Sequence, residues 1–88
     1  MIKITRNIYE EVLRKLVVEI GESDYISART ITGSFDDVEY KFIINAVIYK
    51  DDFKNISEIV PVWWHFHTEI NGTEKMNDFF FSEVQKLI

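Results

Sequence analysis

Pro61-Val62-Trp63-Trp64-His65-Phe66-His67-Thr68-Glu69-Ile70 decides how this chain is read. In an extended strand, successive side chains leave on opposite faces. Val62, Trp64, Phe66, Thr68 and Ile70 then line one side, and Trp63, His65, His67 and Glu69 the other. The first side suits a core and is expected to enclose Trp64. The second keeps Trp63 outside, among groups able to bind a partner or do chemistry.

Residues 38–50 carry the matching pattern. Val38, Tyr40, Phe42, Ile44, Ala46 and Ile48 form an unbroken even-numbered apolar face, the period of a half-buried strand. The odd face, Glu39, Lys41, Ile43, Asn45, Val47 and Tyr49, is polar at one end and apolar at the other. Residues 25–35 are β-branched enough for a third strand, though neither of its faces is cleanly apolar. Residues 33–37 and 51–55 and the pair Asn71-Gly72 are turn material.

Two helices flank these strands. Over residues 7–20, Ile8, Val12, Leu13, Leu16, Val17 and Ile20 recur at three- and four-residue steps. Asn7 with Glu10 gives a capping-box pattern at the start, and Gly21 a stop. From Thr73 or Asn77 onward, Met76, Phe79, Phe80, Val84, Leu87 and Ile88 share one helical side, with Phe81 off the stripe. The expected fold is α+β, a single small domain over residues 1–88. It is a helix–three-stranded antiparallel meander–helix (αβββα), with both helices packed on one face of the sheet. A fourth, short strand over residues 2–5 is left open. The order resembles that of double-stranded-RNA-binding domains, and the resemblance is one of order alone. Such a domain needs basic residues on its last helix, where Glu74, Asp78 and Glu83 outnumber Lys75 and Lys86.

Parity constrains the hairpin between the two long strands. Burying Phe42 and Ile44 together with Trp64 and Phe66 requires an odd-numbered loop when no bulge intervenes. A five-residue loop sets Glu39 across from His67 and Lys41 across from His65. A three-residue loop sets Glu39 across from His65 and Lys41 across from Trp63. Either way a carboxylate meets an imidazole.

Composition narrows the function. The chain has 88 residues, of which 47% are hydrophobic and 15% aromatic, enough for one packed core. With no cysteine, disulfides, thiol nucleophiles and thiolate metal sites are excluded. Fifteen acidic against ten basic side chains give a net charge of −5, and the basic groups are scattered, so nucleic acid is not an expected partner. No leader-like apolar run and no span of ~20 apolar residues occur, so the reading is a soluble, cytoplasmic chain without a membrane partner. Among three glycines there is no phosphate-binding loop, and no serine stands in a nucleophile elbow. An enzyme is not expected.

Three roles remain for the polar and aromatic residues. Trp63, Ile43, Val47 and Tyr49, with Tyr25 and Ile31 beside them, would leave an apolar, aromatic patch opposite the helices, suited to a homodimer or to another protein. Alternatively His65-x-His67 with Glu39 and Glu69 could hold zinc or iron, or a small ligand. The blander account of those residues is a cross-strand His–Glu pair worth about 0.2–1 kcal/mol. Third, Asp36, Asp37, Glu39, Asp51 and Asp52 could imitate phosphates, as an acidic inhibitor of a basic protein would. The favoured expectation is a non-enzymatic protein-interaction module without a cofactor, self-associating through the face that bears Trp63, His65 and His67.

Overall fold

The computed structural model describes residues 1–88. The chain runs α1 (Arg6–Ile20), β1 (Tyr25–Phe35), β2 (Val38–Lys50), β3 (Ile56–Ile70), β4 (Thr73–Met76) and α2 (Phe81–Gln85). The strands form one antiparallel meander in the order β1-β2-β3-β4, so the sheet has four strands rather than three. No helix is long and apolar enough to cross a membrane.

The turns follow from their residues. Asp36-Asp37 and Asn71-Gly72 are two-residue links whose backbones all have positive φ, between 48° and 79°. That geometry matches the right-handed twist of a hairpin and favours Asn, Asp and Gly. The β2–β3 link is the five-residue one. The Asp51 carboxylate accepts hydrogen bonds there from the N–H groups of Phe53 (2.8 Å) and Asn55 (2.9 Å).

Helix α1 starts at Arg6 with Thr5 as its N-cap, and no side chain caps it. The Asn7/Glu10 capping box is not formed, because both residues lie inside the first turns; Glu10 instead pairs with Arg6 at 2.8 Å. At the other end Gly21, at φ 54°, donates its N–H to the Val17 carbonyl. The buried stripe is Ile8, Tyr9, Val12, Leu16 and Ile20, with Tyr9 taking the place expected of Val17.

The expected second helix is largely absent. Asn71-Gly72 folds the chain back tightly enough that residues 73–76 pair with β3, and the helix that follows is five residues long. The intervening residues are not helical, so their aromatics alternate. Phe79 and Phe81 point inward, while Phe80 between them is 62% exposed. This accounts for Phe81 falling off a helical stripe. Residues 2–5 form no strand. They are tied to the far end of the chain by Asn77, whose carboxamide accepts from the Ile2 N–H (2.9 Å) and donates to the Ile2 carbonyl (2.8 Å).

Both helices pack on one face of the sheet and bury a single cluster of 18 residues. Phe79 is central to it: its ring lies 4.7 Å from Phe42 and 4.9 Å from both Phe66 and Tyr9.

Register is where sequence parity fails. Residues 27–28 of β1 oppose the single residue Asn45, Val62 is an extra residue in β3, and Ser57 is another. Each bulge swaps the faces of the residues beyond it. Hence Ile26 and Ile31, of opposite parity, are both buried, as are Ile59 and Phe66. Across β3 the two bulges restore Phe42 opposite Phe66 and Ile44 opposite Trp64, but two residues further along than a five-residue loop alone would give. Val62, expected in the core, is outside.

Gly33 lies opposite Tyr40, and a Cβ at Gly33 would come within 2.5 Å of the Tyr40 ring. That ring has little freedom, since its hydroxyl donates to Glu11 at 2.6 Å and its face stacks on Phe66 at 5.3 Å. The buried hydroxyl bonded to a carboxylate has its pKa raised, first by desolvation and then by Glu11. Gly33→Ala is therefore expected to lower stability by about 1–3 kcal/mol, the usual cost of overpacking. Urea unfolding checks this, and an unchanged midpoint would refute it.

Candidate functional site

Antiparallel partners sit directly opposite one another, so side chains on the face turned away from the helices form rows. At the β3–β4 turn the row is Ser34, Glu39, Glu69 and Glu74; the next is Thr32, Lys41, His67 and Met76. Thr30, Ile43 and His65 follow, then Asn45 and Trp63, then Tyr25, Val47 and Val60, and finally Tyr49 and Glu58. The face is thus graded, from carboxylates through a cation and imidazoles to an apolar, aromatic middle.

Five of the six residues expected at an interface, Tyr25, Ile43, Val47, Tyr49 and Trp63, lie on this face, while Ile31 is turned into the core by the bulge at residues 27–28. Ile43 and Val47 are half-buried, and Tyr25, Tyr49 and Trp63 are exposed. Parity missed Val60, because the Val62 bulge turns it outward beside Val47. It also missed Glu74 and Met76, because their segment reads as a helix.

The two indoles project oppositely, yet they are exposed alike, Trp63 at 37% and Trp64 at 36%. Trp63 meets the edge of His65 at 5.3 Å on the open face. Trp64 leans on Phe81 at 5.7 Å and donates its indole N–H to the Phe79 carbonyl at 2.9 Å. An indole needs such a partner when it is partly buried, and the short α2 does not cover the rest of the ring. Enclosure of Trp64 is therefore not achieved.

The metal-binding candidates are brought to one face but not to one point. His65 and His67 have nearly parallel rings 6.1 Å apart. Neither faces Glu39, which the two bulges carry opposite Glu69 instead. The imidazole of His67 lies 3.5 Å from Glu74, and Lys41 reaches the same carboxylate oxygen at 3.4 Å. No three His, Asp or Glu side chains converge in an arrangement able to hold a metal ion. The turn aspartates have backbone duties: Asp51 closes its loop, and Asp36 and Asp37 supply the positive-φ link.

A groove of ≈ 410 Å³ opens beside the carboxylate row. The larger concavity, ≈ 780 Å³, lies between the N-terminal segment, the start of α1 and α2. It mixes charges of both signs, and Arg6 and Lys86 are already paired with Glu10 and Glu83. Its lining gathers no single chemistry.

No protein-family model, curated protein or solved structure matches this chain.

The carboxylate row has its own energetics. Like charges directly opposite on adjacent strands repel. The Glu69 carboxyl responds with a raised pKa, chiefly through a hydrogen bond shared with Glu39, with desolvation and the charges of Glu39 and Glu74 adding to it. Lys41 acts in the opposite sense. A carboxyl that holds its proton more tightly when folded stabilises the fold below its unfolded pKa, about 4.3. That contribution is lost as pH rises through the higher folded value. Glu69→Gln is accordingly expected to raise the melting temperature near neutral pH, with the gain disappearing by about pH 4. Thermal melts of both proteins across that range test this, and a pH-independent difference would refute it.

Proposed function

We propose that the chain is a non-enzymatic interaction module in which two copies pair through the open sheet face. The observation that carries this reading is the band of Tyr25, Val47, Val60, Trp63 and Ile43, which crosses three strands with neither helix over it. Monomers seldom leave contiguous patches of this kind in water, and Trp and Tyr are enriched at binding hot spots.

Size agrees with this. The molecule extends 45 × 23 × 18 Å, its longest dimension matching the 15 residues of β3. Strands of that length set about 4.8 Å apart offer roughly 600–800 Å², near the share each partner gives to a standard interface.

The sheet edges are poorer places to associate. On β1 the bulge at residues 27–28 interrupts the ladder, and Lys15 donates to the Thr32 carbonyl at 2.8 Å. β4 is only four residues long. Where β3 extends past it, Gln85 caps the Ile59 carbonyl at 3.3 Å, and Pro61, two residues on in the same outward phase, has no N–H to offer. Bulges, lysines, prolines and short strands are the usual means of blocking edge pairing.

The module is placed in the cytoplasm as part of this proposal, since a chain without cysteine fits a reducing compartment. Trp63→Glu is expected to give folded monomers where the unaltered chain dimerises. Native mass spectrometry with circular dichroism reads both properties, and a mass that the substitution leaves unchanged under conditions where the unaltered chain dimerises, or an unaltered chain that never dimerises, would overturn the proposal.

A further inference from the structure

The charged end of the open face bears on when two copies can meet, an inference that rests on the pairing proposed above. The groups facing one another there are Glu39 and Lys41 from β2, His65, His67 and Glu69 from β3, and Glu74 from β4. β1 contributes only Thr32 and Ser34, which carry no charge. Three carboxylates, those of Glu39, Glu69 and Glu74, therefore stand against the single ammonium of Lys41.

A two-fold axis that brings this face against its copy lies in the plane between the two sheets. If the axis runs along the strands, the carboxylate row lies over itself. If it runs across them, that row lies over the β2–β3 hairpin end, where Asp51, Asp52 and Glu58 outnumber Lys50 and Lys54. Both arrangements set negative charge on negative charge.

We infer that pairing through this face is gated by protons, weak near neutral pH and strengthened on mild acidification. Glu69, directly opposite Glu39, has its carboxyl pKa raised, and its uptake of a proton removes one repulsive charge per copy. Proton uptake on pairing makes the association constant pH-dependent, by up to about tenfold per pH unit for each proton taken up.

Sedimentation equilibrium of the whole chain at about pH 7.5 and at about pH 5.5, a window over which linked proton uptake shifts the association constant, tests the gate. The association constant is expected to rise at least tenfold on acidification. The Glu39→Gln, Glu69→Gln double variant is expected to associate at the neutral end more tightly than the unaltered chain, with a shallower pH dependence. Trp63→Glu is expected to stay monomeric at both ends, which separates pairing through this face from general isoelectric clumping near the sequence pI of 4.9. A dimer of equal strength at both pH values, or a double variant no tighter at neutral pH, removes the gate and leaves the pairing intact. Acid association of Trp63→Glu equal to that of the unaltered chain removes both the gate and pairing through this face. The absence of any association removes both the gate and the pairing on which it rests.

Discussion

The Asn45 carboxamide accepts a hydrogen bond from the backbone N–H of Ala28 at the point where both neighbours of β2 carry an extra residue. Ala28 adopts φ 47°, a left-handed conformation that costs a residue with a Cβ roughly 1–2 kcal/mol. Its amide would also lack a ladder partner in a bulge. Asn45 supplies that partner and offsets part of the cost, while its amide nitrogen donates to the Tyr25 hydroxyl at 3.4 Å. β2 is thus the regular template to which β1 and β3 adapt. Remove the adaptation and either Ile26 or Ile31 must leave the core, and Trp63 and Trp64 exchange faces.

That dependence explains which parts of the fold were legible. α1 and β2 are single uninterrupted periods, so their buried stripes are close to those the residues suggest. The turn residues 51–55 mark the five-residue β2–β3 loop, one of the two lengths that parity leaves open. The irregular patterning of β1, with no clean face, is what a strand looks like when a bulge swaps its parity halfway. In β3 the same effect is hidden, because its two bulges cancel for Trp64 and Phe66 and mislead only for Ile59, Val60 and Val62. Three adjacent phenylalanines read equally well as a helical stripe or as an alternating segment. The tight Asn71-Gly72 turn decided the matter by pairing residues 73–76 with β3 first.

The candidate site inherits both outcomes. Its apolar members on β2 were visible as the odd-numbered face. Its electrostatics were not, since the partner of Glu39 is set by bulges that no local pattern announces, and Glu74 belongs to a strand formed only by tertiary pairing. The result is a face whose two halves obey different rules. In the proposed pairing the apolar middle would supply the contact, and the carboxylate end would respond to the medium. The edges are closed by Lys15, Pro61 and the shortness of β4, which is why the proposed pairing uses that face.

The meander joins neighbours in sequence through links of two or five residues, so its hairpins can zip with little loop-closure entropy. The tie between Ile2 and Asn77 is different in kind, spanning 75 residues. Interactions so remote in the chain form after local ones, and a pair of hydrogen bonds near a terminus gives way before a long central ladder. The order of events in folding should therefore run outward from β2–β3, with the strap across the two ends fastening last. In hydrogen exchange the Ile2 amide would be released well ahead of the amides along β2, reporting partial opening while the sheet is still whole.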